Sequence, residues 1–379
     1  MRQRVFKNRL IIATLILAGC WVYCSLAITA ALRHLRTARL RPLLADTPIS
    51  ILKPLSGLDE GLIENLRSFF EQDYERFQLL FAVRHNWDPA ASVVRMLMAE
   101  YPAINARLLV TGEPPYPNAK VFSLKCMLDQ ARYGLIVMSD SDIRVNRNFC
   151  QEVAAEFEDP AIDLVTCPYE AVAGKSLWSR LEAAGMNTDF HAGLFTAVML
   201  EGAKFAVGPT IVARRSLLDA LGGIERVKDY LAEDFMLGKI ASEEGFGVRL
   251  SAHVVQHRIG SEPLGHNFTH RLRWARSTRR SRPAGYVGEF FTQPGPIALA
   301  VLLLWPQWWP LVAVTFVLRI LSAWIVSKGI LDARVPWHLL PAQDLLGFGF
   351  WIAGFFGNSI HWRGRRYILN RDGTVEPAA

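Results

Sequence analysis

Leu135-Ile136-Val137-Met138 is a short apolar run, and one residue further on the chain reads Asp140-Ser141-Asp142. Such a run, bounded by polar residues, reads as a buried strand of a parallel sheet. In an open α/β sheet ligands collect at the carboxyl ends of the strands, so both carboxylates fall where a charged ligand would sit. Hard oxygen ligands two residues apart suit Mg2+ or Mn2+, which take one or two carboxylates and fill the remaining positions with substrate phosphates. That arrangement points to a nucleotide–diphosphate substrate. With 16 Asp among 379 residues, chance alone supplies roughly 0.7 Asp-x-Asp pairs, so the strand ahead of the motif carries the inference.

Outward from this stretch, residues 48–255 alternate short β-rich runs with amphipathic helical patterns, the signature of an α/β sheet. Ile49-Ser50-Ile51-Leu52 is the first expected strand, followed by Lys53-Pro54 and a helix from near Asp59. Residues 79–83 form the second, and Asp88-Pro89 opens the next helix with an acid at its N-terminal dipole. Residues 107–110 form the third strand, residues 112–118 a Pro-rich loop, and residues 122–132 a helix leading into the acidic strand. In Leu231-Ala232-Glu233-Asp234-Phe235 the acids open a helix running to about Glu244.

Both ends of the chain are more apolar than its middle. Residues 10–32 are long enough to cross a hydrocarbon layer of about 30 Å. The basic leader (Arg2, Arg4, Lys7, Arg9) resembles a signal peptide, but the apolar run is too long and no clear cleavage site follows. We read an uncleaved anchor over residues 1–34. Arg33, Arg36, Arg39 and Arg41 follow as closely as four basic residues precede it, so flanking charge does not orient it. Residues 296–326 and 345–360 are apolar again. Pro306 and Pro310 bracket Gln307-Trp308-Trp309, giving either one kinked span or a short hairpin. Trp305, Trp308, Trp309, Trp324 and Trp337 are aromatic amphiphiles of the kind found at headgroup depth. The basic stop His361-Trp362-Arg363-Gly364-Arg365-Arg366 suggests a cytoplasmic tail over residues 362–379. The net charge of +7 crowds next to the apolar spans, which favours an anionic membrane surface over nucleic acid. Cys20, Cys24, Cys126, Cys150 and Cys167 form neither a paired framework nor a metal cluster, as expected of reduced thiols.

The ordered set Leu52-Lys53-Pro54-Leu55 with Gly57, Asp88, Asn118-Ala119-Lys120, Asp140-Ser141-Asp142, Glu233-Asp234 and Arg273-Trp274 resembles the ceramide glucosyltransferase family. The resemblance covers roughly residues 48–280 and both apolar ends. It implies an α/β, GT-A nucleotide-sugar-binding fold with N-terminal and C-terminal transmembrane helices. A bacterial relative, the enzyme that adds N-acetylglucosamine to bacteriohopanetetrol, shares the skeleton. In this family the closing motif usually begins with Gln or Arg, where this chain has His270 with Arg271 beside it.

The resemblance implies donor contacts from Lys53, Pro54, Asp88, Lys120, Asp140, Arg273 and Trp274, with Asp88 at the uridine and Lys120 at the diphosphate. It makes Asp140 and Asp142 the divalent-metal pair. Inverting transfer needs a carboxylate to take the acceptor hydroxyl's proton, a role that falls to Asp234 with Glu233 in support. His191 and His270 are weaker candidates for donor or acceptor contacts. The catalytic domain spans residues 48–270. An interfacial basic and aromatic segment covers 271–295, and membrane segments cover 296–361.

The expected function is inverting transfer of a hexose from a UDP-sugar to a lipid hydroxyl, ceramide-like or hopanoid. The enzyme is expected to be a multi-pass membrane protein of a bacterial inner membrane, its catalytic domain facing the cytoplasm where nucleotide sugars are made. The alternative is N-acetylglucosamine transfer from its UDP donor to bacteriohopanetetrol. A processive polysaccharide synthase would need more spans, and a non-catalytic scaffold would be expected to have lost its acids.

Overall fold

The computed structural model describes residues 2–38, 45–261, 263–362 and 365–378. Arg39 and Arg41 of the basic flank, and Arg363-Gly364 of the basic stop, lie outside the described residues. Helix α1 (Arg2–Ala38) leads into β1 (Ile49–Pro54), α2 (Leu62–Phe70), β2 (Phe77–Val83) and α3 (Pro89–Glu100). Next come β3 (Ala106–Val110), α4 (Ala119–Leu128) and β4 (Leu135–Ser139). These strands pair in parallel in the order β3-β2-β1-β4, with Ile49 in register with both Phe77 and Leu135. Every residue of β1, β2 and β4 is buried, as a strand covered on both faces must be. The period of two divides their side chains between two cores. Leu79, Phe81 and Val83 join the cluster containing α2 and α3, whereas Leu80 and Ala82 join the one containing α4. The helix expected from Asp59 begins instead at Leu62, after Gly61 takes a left-handed φ of 79° that favours glycine.

The chain continues through β5 (Ile143–Arg144), α5 (Phe149–Ala155), β6 (Leu164–Thr166), β7 (Tyr169–Ala173) and α6 (Leu177–Gly185). A π-helical turn, Met186–Phe190, separates α6 from α7 (His191–Glu201). Then follow β8 (Thr210–Arg214), α8 (Arg215–Ala220), α9 (Glu233–Glu243), β9 (Val248–Leu250) and β10 (Val255–Gly260). Strand β8 enters antiparallel between β4 and β6, giving the seven-stranded order β3-β2-β1-β4-β8-β6-β9. A second sheet, β5-β10-β7, lies beside the acidic loop after β4. The fold is α/β, with a mostly parallel sheet flanked by helices.

The C-terminal helices are α10 (Leu264–Ser281), α11 (Pro283–Gly288), α12 (Pro294–Leu304), α13 (Trp309–Trp324) and α14 (Leu340–Gly354). Among the described residues, the stretches Ile11–Thr37 and Pro306–Ile330 are long and apolar enough to cross a membrane. Pro283–Thr292 and Pro294–Leu304 qualify together but are bent by 53°. Helices α12 and α13 pack against α1 through Ala13, Leu17, Val301 and Val312. The edge assigned at residue 270 falls inside α10, which runs unbroken from Leu264.

Within the tail expected over residues 362–379, the described residues include β-strands. Strands β11 (Ser359–Trp362), β12 (Arg365–Leu369) and β13 (Val375–Pro377) form an antiparallel sheet. Ile360, Tyr367, Leu369 and Val375 enclose Leu231, and the Val375 N–H donates to the Asp229 carbonyl at 2.8 Å. The basic residues hide this apolar alternation in the sequence. Arg276 and Arg279 of α10 donate to the carbonyls of Phe356 and Gly357 at 3.0 and 2.8 Å, so part of the basic run holds the turn that follows α14.

Candidate active site

The acidic strand delivers Asp140 and Asp142 to the sheet's carboxyl edge, where three other elements meet them. Lys120, in the first turn of α4, lies 2.6 Å from Asp140 Oδ1 and 2.9 Å from Glu233 Oε1. Burial alone would weaken its charge. Asp140, Glu233 and Asp234 outweigh that effect and hold Lys120 above its ordinary pKa. Asn118 builds the same junction from the other side. Its Oδ1 caps α4 by accepting from the N–H groups of Lys120 and Val121 at 3.0 and 3.2 Å. Its Nδ2 donates to the Tyr230 carbonyl at 2.9 Å and to Glu233 Oε2 at 3.2 Å.

Glu233 and Asp234 open α9, yet their environments drive them apart. Burial opposes the charge of Glu233, but Lys120 and Asn118 prevail and its carboxyl lies below the usual range. Asp234 is pushed up to about 7 by burial and by the neighbouring Glu233 charge. Adjacent carboxyls with divergent proton affinities divide their labour, one fixed as an anion and the other poised to take a proton near neutrality. Gly208 makes room for the second: a Cβ there would lie 2.5 Å from Asp234 Oδ2. Lys120, Gly208, Glu233 and Asp234 line one small cavity with Met138 and Ile211.

Asp142 tests whether a divalent cation fits. Its Oδ2 lies 3.1 Å from His257 Nε2 on β10, while its Oδ1 is buried with no hydrogen-bond partner. A buried carboxylate oxygen left open is what a cation or a water would satisfy. Burial works against ionising Asp142, but His257 and Lys53 overcome it and place its carboxyl below the ordinary value. No group of three or more His, Cys, Asp or Glu ligands is found among the described residues. A divalent cation held by Asp140 and Asp142 would take its remaining oxygen ligands from outside this acidic pair.

Other expected site residues are placed differently. Lys53 and Pro54 are buried within β1 rather than open to a donor. The Lys53 ammonium bonds the Asp140 carbonyl and, at 3.3 Å, Ser139 Oγ, and it lies 4.0 Å from the Phe69 ring centroid. Burial brings its pKa down to about 7 despite Asp140 and Asp142. It braces the loop that presents the acids. Asp88 caps α3 from the Ala90 N–H at 2.9 Å and also holds the Gly57 N–H at 3.0 Å, joining the loops after β1 and β2. His191 is fully buried. Its Nδ1 donates to the Met186 carbonyl at 2.7 Å and its Nε2 accepts from the Tyr169 N–H at 3.2 Å. Both ring nitrogens are occupied and burial lowers its pKa to about 4, so it is a neutral structural imidazole rather than a ligand contact. His270 lies 3.0 Å from the buried carboxylate of Glu182, with Trp274 one turn along α10 and ring centroids 4.7 Å apart. Arg273 is on α10 immediately before Trp274.

His257, Gly208, Tyr169 and Glu182 were not anticipated. His257 had a faint signal, a polar residue at an inward position of Val255-Gln256-His257-Arg258-Ile259. The others had none, because their roles arise from contacts across the fold.

The model for glycosyl transferase family 21 matches residues 13–375, nearly the whole chain. The chain belongs to glycosyl transferase family 21. Ceramide glucosyltransferase 1 of Caenorhabditis elegans is 30% identical over 228 residues, 60% of this chain and 48% of the relative. The chain thus matches about half the length of that curated relative. A ceramide glucosyltransferase of Gibberella zeae is 20% identical over 86% of this chain and 85% of its own length. Among solved structures, a mannosyltransferase from Pyrobaculum calidifontis in complex with GDP-Man and Mn2+ superposes with a TM-score of 0.51. At 17% identity, covering 90% of this chain and 97% of that one, it shares the fold of this family 21 member.

Proposed function

We propose that this family 21 glycosyltransferase moves a hexose from a UDP-sugar to a hydroxyl of a membrane lipid, ceramide-like in the first instance, with inversion at the anomeric carbon. The observation that carries this reading is the divergence of Glu233 and Asp234 beside Lys120 and the Asp140–Asp142 pair. Asp234 takes the proton of the acceptor hydroxyl as its oxygen bonds to the anomeric carbon. The bond from that carbon to the diphosphate oxygen breaks on the opposite face, and UDP leaves with the electron pair. Lys120 offers the departing phosphate a compact positive charge, and Asn118 holds Lys120 and Glu233 in register. Asp140 and Asp142 would hold a divalent metal, which supplies charge neutralisation of the leaving diphosphate when bound.

Asp88 and Arg273 complete the proposed donor side, whereas Trp274, expected as a donor contact, is assigned to the acceptor's side, its ring 6.5 Å from that of Phe190. The ceramide glucosyltransferases among the relatives support a lipid acceptor, as does the apolar helix α14 packed against α10. A UDP-sugar donor puts the catalytic domain on the cytoplasmic face. The test is mass spectrometry of lipids from a host expressing the chain, with UDP release measured with and without added lipid. A new hexosylated ceramide is the expected product. N-acetylhexosaminyl bacteriohopanetetrol would support the hopanoid alternative instead, and absence of any glycolipid together with lipid-independent UDP release would overturn both.

A further inference from the structure

Helix α13 reads Trp-Pro-Leu-Val-Ala-Val-Thr-Phe-Val-Leu-Arg-Ile-Leu-Ser-Ala-Trp, and Arg319 is its only charged residue. A guanidinium in such a helix is expensive and is retained where it has partners and a purpose. Arg319 is buried, 3% exposed, and its guanidinium is held through Nε and Nη2. Nη2 and Nε meet the two oxygens of Asp344 on α14 at 2.7 and 3.2 Å. Nη2 also reaches Asp189 Oδ1 at 2.6 Å and Thr188 Oγ1 at 3.4 Å. Asp344 is fixed in turn by close packing, since a Cβ on Gly295 of α12 would lie 2.5 Å from its Oδ2. One arginine therefore joins α13, α14 and the π-helical turn Met186–Phe190.

That turn is equally tied to the catalytic body. Asn187 donates to the Ala171 carbonyl and accepts from its N–H, both at 2.8 Å, which splices the turn onto β7. Phe190, 38% exposed, lies 5.6 Å from the Tyr169 ring and 6.5 Å from that of Trp274. Tyr169 packs edge-on against His257, the partner of Asp142, at 5.3 Å. π-Helical turns inserted between α-helices are frequent at functional sites, where the wider winding re-aims side chains. Here the turn carries an exposed aromatic between the acidic loop and α10. Its other flank is gripped from within an apolar helix.

We propose that Arg319 is a positioning residue for the lipid acceptor, holding the Met186–Phe190 turn so that Phe190 and Trp274 form the acceptor's side of the site. This rests on the lipid-acceptor reading above. Arg319 contacts neither substrate. Its effect is carried through Asp189, so lipid affinity responds to its replacement while the donor side, built by Asp140, Lys120 and Glu233, does not.

The experiment uses the full chain in phosphatidylcholine vesicles with ceramide or with bacteriohopanetetrol, measuring UDP release at varied lipid and varied donor. Arg319→Met should raise the lipid KM about tenfold or more with donor KM unchanged, and Arg319→Lys should recover only part of the loss because an ammonium lacks the fork. Leaving Asp344 buried without its partner can unfold the chain, so a double variant Arg319→Leu/Asp344→Leu removes both buried charges together, an exchange that interiors commonly tolerate. It should melt near the wild-type temperature and still show the raised lipid KM. A folded double variant with wild-type lipid KM, or one with donor and lipid KM raised alike, overturns the proposal alone. If neither lipid accelerates UDP release by the wild-type enzyme, the acceptor reading falls and takes this proposal with it.

Discussion

Lys120 and Arg319 each hold a pair of carboxylates, and the two sites differ in what the shared cation is. At the sheet edge, Lys120 joins Asp140 to Glu233. Against the apolar helices, Arg319 joins Asp344 to Asp189. Lysine presents a compact charge on a flexible stem, so it can shift between its carboxylates and an incoming phosphate. Arginine presents a planar fork whose geometry is satisfied by one arrangement of acceptors. Unspent capacity lies beside the first pair, in the unpartnered Asp142 Oδ1 and in Asp234 with its raised proton affinity. On the proposed function, the lysine pair is the one a ligand would rearrange, and the arginine pair the one that resists rearrangement.

The sharpest way to probe the rearrangeable side is Asp234→Asn, which should lower turnover about 10²–10⁴-fold with donor affinity near wild type. Turnover within a few-fold of wild type in a steady-state assay would move the base to Glu233. The same site predicts a pH signature. Asp234 acts as a base only when ionised, so turnover should fall as pH drops through about 7. Its folded pKa is raised, so the stability it contributes is present at low pH and is lost as pH rises through about 7. Asp234→Asn should therefore raise the melting temperature of the ligand-free protein at pH 8 and change it little at pH 5, as a thermal scan at the two values would show.

Asp142→Ala should abolish the metal dependence of donor binding in calorimetry while leaving the fold intact. Unchanged Mg2+ or Mn2+ dependence would remove Asp142 from the metal site. Lys120→Met should weaken donor binding about 10–100-fold, the scale of a lost charge-assisted hydrogen bond. If titration showed donor affinity untouched while the protein melted early, Lys120 would be a staple of the same kind as Arg319 and the contrast would collapse. The smallest effect is expected at His270. His270→Gln should stay within about threefold of wild type because an amide can still donate to Glu182, whereas His270→Ala leaves that buried carboxylate with less support and should lose clearly more. Equal losses in side-by-side turnover assays would show that His270 does more than hold Glu182.

The four parallel strands were legible because each is an apolar run with a polar boundary, Asp88-Pro89 starts a helix where capping chemistry places it, and Glu233-Asp234 fill a first helical turn where the dipole favours acids. Local pattern reports the kind of element. It does not report neighbours brought together by the rest of the fold. Thr210–Arg214 pairs antiparallel inside the sheet, and no local signal says that it inserts between β4 and β6. Lys53 looks like a loop cation from its place before Pro54, and only the carbonyl of Asp140 on a separate strand explains how it can be buried. Arg319 stands out in the sequence as a lone charge, yet Asp344 and Thr188 lie 25 and 131 positions away.

The small sheet at the end of the chain carries a consequence of parity. Its Val375 bonds Asp229 and its Thr374 bridges Tyr230, while α10 holds the turn between α14 and β11. Both ends of the stretch from Ser281 to Ser359 therefore belong to one side of any bilayer that the chain enters. However often the chain threads that bilayer in between, the number of passages is even. The two candidates within the stretch, Pro306–Ile330 and the bent pair Pro283–Leu304, satisfy this as a couple, while either alone would strand the sheet on the far face. A label at the exposed Glu376 then reports the compartment of Asp234 as faithfully as one placed on the catalytic sheet itself.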